Sequence, residues 1–155
     1  MDDEKIPGEI DGKNEEGALH GSLYTRIQQM SVTEMVRLAT FGNREARNLL
    51  IKNPNTIIVQ AVLNSPKITD DEILSFAGNK NLSKEVPLII SNKKEYTKSY
   101  TVKVALVNNP KTPLHTAIKF LRHLLPKDLR NVSKSKNVPT VLAKTALKML
   151  ANRGR

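Results

Sequence analysis

The sequence predicts an all-α fold, a solenoid of about nine short antiparallel helices joined by loops of about 2–5 residues. Three observations predict it. One corner recurs: residues 102–113 (Val-Lys-Val-Ala-Leu-Val-Asn-Asn-Pro-Lys-Thr-Pro) read as a helix end, a sharp turn and a helix start, and residues 49–56 and 61–69 repeat the device. Apolar residues fall at helical spacing from Leu23 onward, with no sustained period-2 alternation and no hairpin signal. The chain is also self-similar in three competing registers. A shift of 44 lays Pro66-Lys67 on Pro110-Lys111, one of 56 lays Asn53-Pro54 on Asn109-Pro110, and one of 26 connects Pro87, Pro113 and Pro139. No single period wins, which points to degenerate stacked units that cannot bury their apolar faces alone.

The elements follow in order. Residues 1–21 hold seven acids and two lysines, a net charge of −5, and read as a flexible acidic tail: a solubilising leader, or an internal decoy for the basic body. Ser31-Val-Thr-Glu34 is a capping box, in which the hydroxyl accepts from the third amide and the glutamate reaches back. Gly42-Asn43 breaks the chain, and Ala46, Leu49 and Leu50 make the next stripe until Asn53-Pro54 stops it. The β-branched run 56–63 has the composition of a buried strand, but its place among Pro-bounded units makes it a helix. Thr69-Asp-Asp-Glu72 is a second capping box, and Gly78 is expected to close that helix in the left-handed conformation.

Ser83 is read as the next start, with Val86, Ile89 and Ile90 inward, and Lys93-Lys94-Glu95 as a polar break before a helix over 97–107. Thr112 is the expected N-cap of a helix whose first residue is Pro113 and whose inner face is Leu114, Ala117, Ile118 and Leu121. Pro126 opens a short helix with Leu129 and Val132 inside. Asn137-Val-Pro139 opens the last, with Leu142, Ala146, Met149 and Leu150 inside. Residues 22–152 thus form one helical repeat domain, and 153–155 a basic end.

The run 104–114 (Val-Ala-Leu-Val-Asn-Asn-Pro-Lys-Thr-Pro-Leu), with the apolar helix to Leu125, resembles a unit of the bacterial leucine-rich-repeat-variant type. Echoes at 49–56, 61–74 and 136–150 extend the resemblance to about residues 31–152. It implies a right-handed α-solenoid of the HEAT and armadillo class, and a concave face that binds other macromolecules. Some proteins of that type carry a Cys-ligated iron–sulfur cluster. This chain has no cysteine, so that feature does not carry over and no cofactor is expected.

The absence of cysteine also removes disulfides and thiol chemistry, and fits a reducing, cytoplasmic setting. No apolar run reaches the roughly 20 residues of a membrane helix, so no integral membrane association is expected. His115 and His123 lie eight residues apart on one helix, roughly 12 Å at the helical rise and too far to share a metal. Asp70-Asp71-Glu72 suits a first helical turn, where acids face free amides. Gly42-Asn-Arg-Glu-Ala-Arg47 lacks the Gly-Lys-Ser/Thr of a phosphate loop. Tyr96 and Tyr100, among lysines, sit four apart on one expected face. They either stack on bases or, the favoured reading, pack between repeats with their hydroxyls in water.

The basic series is the best functional signal. Residues 93–155 carry fifteen bases and two acids, Glu95 and Asp128, a net of +13 against +2 for residues 22–92. The candidate binding residues are Lys111, Lys119, Arg122, Lys127, Arg130, Lys134, Lys136, Lys144 and Lys148. Their i, i+3, i+4 and i+7 spacings place them opposite the apolar stripes, where a solvated outer face is the competing explanation. With no nucleophile–base pair or metal cluster visible, the sequence reads as a non-enzymatic adaptor. It is expected to bind an acidic macromolecule, a protein as the first reading and nucleic-acid phosphates as the alternative.

Overall fold

The computed structural model describes residues 21–154, which form eleven helices and no strand. They are α1 (residues 21–28), α2 (Val32–Phe41), α3 (Arg44–Leu50), α4 (Thr56–Leu63), α5 (Asp70–Gly78), α6 (Glu85–Ser91), α7 (Lys94–Thr97), α8 (Tyr100–Asn108), α9 (Leu114–Leu121), α10 (Pro126–Lys134) and α11 (Thr140–Arg153). The fold is all-α as expected, with more helices than nine. The tail reading of 1–21 falls outside the described residues except for Gly21, which is helical. The expected basic end also changes character at Arg153, which closes α11 and is hydrogen-bonded.

One apolar cluster runs from Ile27 to Ala146, built of Leu, Ile, Val and Ala with Phe76 and Phe120. The main pairings join helices close in chain order. α2 packs on α3 and α4, α4 on α6, α5 on α6 and α8, α8 on α9 and α10, and α11 on α9 and α10. The run 56–63 is helical, with Ile58, Val59, Val62 and Leu63 buried, so tertiary burial overrides its strand-like composition.

The corners explain the competing registers. At Asn53, Ser65, Asn79, Asn109 and Ser135 the side-chain oxygen accepts the backbone N–H two residues on, at 2.8, 3.3, 2.9, 3.0 and 3.2 Å. Such side-chain turns close the chain without a left-handed residue. The shift of 44 superposes Ser65 on Asn109, that of 56 superposes Asn53 on Asn109 and Asn79 on Ser135, and that of 26 superposes Asn53 on Asn79. What repeats is the corner, and the helices between corners differ in length.

The corners also tie helix ends together. The Ser65 hydroxyl donates to the Thr40 carbonyl near the end of α2 (2.8 Å), and the Asn109 amide donates to the Ala77 carbonyl near the end of α5 (2.9 Å). Another 44 residues on, the Arg153 guanidinium donates to the carbonyls of Leu124 (2.5 Å) and Arg122 (2.7 Å) past the end of α9. Helix-end carbonyls left without an intrahelical partner are satisfied in this way.

These long-range donors correct several local expectations. No glycine among the described residues has positive φ, so Gly78 is not a left-handed closure. Asn79 ends α5 in extended conformation, and Asn109 takes the neighbouring carbonyl. Thr112 is not the N-cap of α9; that position is Pro113. Thr112 is buried and donates its hydroxyl to the Leu106 carbonyl at 2.6 Å, satisfying the end of α8. The Lys93–Glu95 break instead starts α7, whose Tyr96 hydroxyl donates to the Leu63 carbonyl at 2.8 Å. The helix expected over 97–107 therefore begins at Tyr100, and the two tyrosines lie on separate helices. The expected start at Ser83 moves to Glu85.

Of the two capping boxes, Thr69–Glu72 makes both halves, whereas Ser31 makes the hydroxyl half, accepting from the Glu34 amide at 3.2 Å. Gly42 is fixed by close approach: a Cβ there would lie 2.4 Å from the Leu38 carbonyl oxygen, which accepts the Gly42 amide at 2.7 Å.

Candidate macromolecule-binding surface

Each basic helix turns most of its apolar stripe inward and its cations outward, although Leu114, expected inside α9, is exposed. In α9, Ala117, Phe120 and Leu121 are buried while Lys119 and, just past its end, Arg122 are exposed, as are His115 and His123. In α10, Leu129 and Val132 are buried and Lys127, Arg130 and Lys134 exposed. In α11, Leu142 and Ala146 are buried and Lys144 and Lys148 exposed, and Lys136 is exposed in the intervening loop. The packing of α11 on both α9 and α10 brings these eight cations onto one contiguous group of helices.

The two ion pairs among the described residues, Arg47–Glu72 and Lys93–Glu95, use none of the eight. Lys111 differs from them. It is exposed like them, but its ammonium donates to the Leu82 carbonyl at 2.7 Å and fastens its corner to the chain before α6. Lys67, its counterpart at the shift of 44, does the same to the Phe41 carbonyl at 3.0 Å.

Neither acid of residues 93–155 is free for the cations. Glu95 lies 3.8 Å from the Lys93 ammonium. Asp128 accepts the Tyr100 hydroxyl, which also accepts the Leu125 amide at 3.0 Å. Burial, then the bond to Asp128, raises the Tyr100 pKa above its usual value of 10.0. Burial, with Glu95 and Asp70 nearby, raises that of Tyr96. The tyrosine hydroxyls thus bond protein groups where the sequence placed them in water, and both rings are half-buried. Neither is presented as an open stacking platform of the kind single-stranded nucleic acid uses.

The other acidic cluster has structural work. Glu72 is 1% exposed and forms a two-pronged pair with Arg47, at 2.8 and 3.2 Å. It also accepts the Thr69 amide (2.8 Å) and hydroxyl (3.1 Å), while Arg47 donates onward to the Gly42 carbonyl at 2.8 Å. Burial alone raises its pKa, but Arg47 and Thr69 outweigh it and the carboxyl stays below its usual 4.5. Among the described residues no group of three or more His, Cys, Asp or Glu is placed to hold a metal ion. No helix among them is long and apolar enough to cross a membrane.

Sequence reasoning missed two features of this region. Arg153 anchors α11 to α9 through backbone carbonyls, which no local pattern announces. Val141 and Leu147 are exposed beside the lysines of α11. Their departure from the stripe Leu142–Ala146 was the available signal. No protein family, no curated protein and no solved structure matches the chain.

Proposed function

We propose that the protein is a non-enzymatic, cytoplasmic binding module or adaptor of the leucine-rich-repeat-variant type, a HEAT-like right-handed α-solenoid. It uses the basic face of α9, α10 and α11 to hold an acidic protein. Supporting the architecture are the repeated corners and pairings that join helices near in chain order. One observation carries the function: the eight exposed cations have no acid to meet in their own half, because Glu95 and Asp128 are already engaged. A face kept charged in this way attracts a polyanionic partner over distances comparable with the Debye length.

The test is an anisotropy titration of the full chain against polyglutamate and a DNA duplex at two salt concentrations. Polyglutamate is expected to bind, and the Lys127→Ala, Arg130→Ala, Lys134→Ala triple variant to bind at least tenfold more weakly. Tighter binding of the duplex, with log affinity falling against log salt by about 0.9 per phosphate contact, would move the function to nucleic acid. Binding of neither polyanion at low salt would end the proposal.

A further inference from the structure

The three basic helices do not present the same chemistry. Beyond Pro126 at its first position, the exposed side chains of α10 are all polar, Lys127, Arg130, Asn131 and Lys134. On α11 the exposed residues include Val141, Lys144, Leu147, Lys148 and Ala151, with Val141 55% and Leu147 60% exposed. At about 100° per residue these span an arc of roughly 120° facing away from Leu142 and Ala146. Along that arc Lys144 lies one turn from both Val141 and Leu147, and Lys148 one turn from Lys144 and Ala151. Phosphate chains need only the cations; the apolar members call for a ligand with hydrophobic side chains of its own.

The shift of 44 that lays Asn109 on Arg153 also lays α8 on the C-terminal part of α11. Leu106 then corresponds to Leu150 and Val107 to Ala151. In α8, which packs on α5, α7, α9 and α10, both Leu106 and Val107 are fully buried. The face of α8 that neighbouring helices cover, Val102, Leu106 and Val107, thus corresponds on α11 to Ala146, buried, Leu150, half-buried, and Ala151, exposed, so α11 is less covered towards its C-terminal end.

We infer that the outer face of α11 is a docking strip for an acidic amphipathic helix of a partner protein, with Val141 and Leu147 as apolar anchors and Lys144 and Lys148 as charge partners. This deepens the acidic-protein reading above and rests on it. Lys144 and Lys148 are one turn apart, so carboxylates four residues apart on the partner would meet them, beside a Leu or Ile stripe. The cations set orientation and on-rate, and the apolar anchors set residence time.

The full chain is titrated with two synthetic peptides of one Glu, Ala and Leu composition. One has Leu at i, i+3, i+4 and i+7; the other has the same residues permuted around the helix. The patterned peptide is expected to bind at least tenfold tighter. The Val141→Ser, Leu147→Ser variant is expected to lose that advantage and bind both alike. Both substitutions are at exposed positions, and an unchanged circular dichroism spectrum and melting temperature confirm that the fold is kept. Equal affinity of the two peptides for the native chain overturns the inference, as does an unchanged advantage in the double variant. If polyglutamate still binds and the α10 triple variant weakens it, only the α11 strip has failed. If neither peptide nor polyglutamate binds, the acidic-protein reading has failed with it.

Discussion

The helices of the first half and of the last third begin in different ways. In α2 to α5 a side chain accepts from the first turn in every case: Ser31 from Glu34, Asn43 from Ala46, Asn55 from Ile57 and Thr69 from Glu72. In α9, α10 and α11 the N-cap positions are Pro113, Leu125 and Pro139, and none makes such a bond. Proline sets its own φ and helps fix the start without supplying an acceptor. The difference teaches how charge is distributed. The first half places Glu34, Glu45 and the Asp70–Glu72 cluster against the positive ends of its helices. In the last third α9 and α11 have no first-turn acid, and the one in α10, Asp128, is held by Tyr100. Cations and uncompensated helix ends therefore add in the same direction.

The largest effect that would break the comparison lies at Arg47–Glu72. Removing one partner leaves a buried charge uncompensated, so Glu72→Ala is expected to cost about 3–5 kcal/mol in urea unfolding. The double variant Arg47→Met, Glu72→Met is expected to recover most of it. The same carboxylate sets the acid limb of stability. Its folded pKa is lowered, so its contribution is present above the usual 4.5 and is lost as pH falls through the folded value. The Met–Met variant should therefore lose less stability on acidification than the native chain. An identical acid slope in the two would show that another group governs that limb.

The corners come next. Asn109→Ala strands the Ala77 carbonyl inside the protein and opens the turn to Lys111, with an expected cost of about 1–3 kcal/mol. Ser65→Ala removes the equivalent pair of bonds, to the Thr40 carbonyl and from the Lys67 amide. If the two corners are equivalent, the two losses agree to within about a factor of two. A negligible loss at either site, measured by chemical unfolding, would show that the shift of 44 carries no energetic equivalence.

A smaller effect is expected at the joint of the basic half. Tyr100→Phe removes the donor to Asp128 and the acceptor of the Leu125 amide, and is expected to cost about 0.5–1.5 kcal/mol near neutral pH. The Tyr100 pKa is raised in the fold, so its contribution is complete below the usual 10.0 and disappears as pH rises through the folded value. The phenylalanine variant should lose less stability than the native chain on going from pH 9 to about pH 11. Parallel alkaline curves would place the titration elsewhere.

What the sequence revealed and what it hid follow one physical division. The corners at Asn53, Ser65 and Asn109 were legible because their turns are local, a side chain bonding an amide two residues away. The outward cations of α9 to α11 were legible because burial of Leu121, Leu129 and Leu142 fixes helix rotation, and the cations' spacing then places them outside. Thr112, Gly78 and the start at Lys94 were misread because their conformation depends on contacts that no helical periodicity reports. Tyr96 reaches a carbonyl 33 residues back, and Asn109 one 32 residues back. The backbone bond of Lys111 was hidden for the same reason, since the Leu82 carbonyl lies 29 residues earlier. The all-α class and the corners could be read from local chemistry, whereas finding which cations bond to distant carbonyls required the folded chain.

The smallest expected effect sharpens the charge comparison most directly. With both acids of residues 93–155 engaged, the exposed cations of α9 to α11 repel one another. The Debye length is about 30 Å at 0.01 M salt and about 8 Å at 0.15 M, so raising salt across that range screens this repulsion. The melting temperature is expected to rise, by a stability gain below about 1 kcal/mol, the scale of exposed charge interactions. In the Lys127→Ala, Arg130→Ala, Lys134→Ala variant the rise should shrink, while stability at 0.15 M salt changes by no more than about 0.5 kcal/mol per substitution. A melting temperature that falls with salt in the native chain would mean that attraction outweighs repulsion. These cations would then have acids to meet within the chain, and the observation that carries the proposed function would be lost.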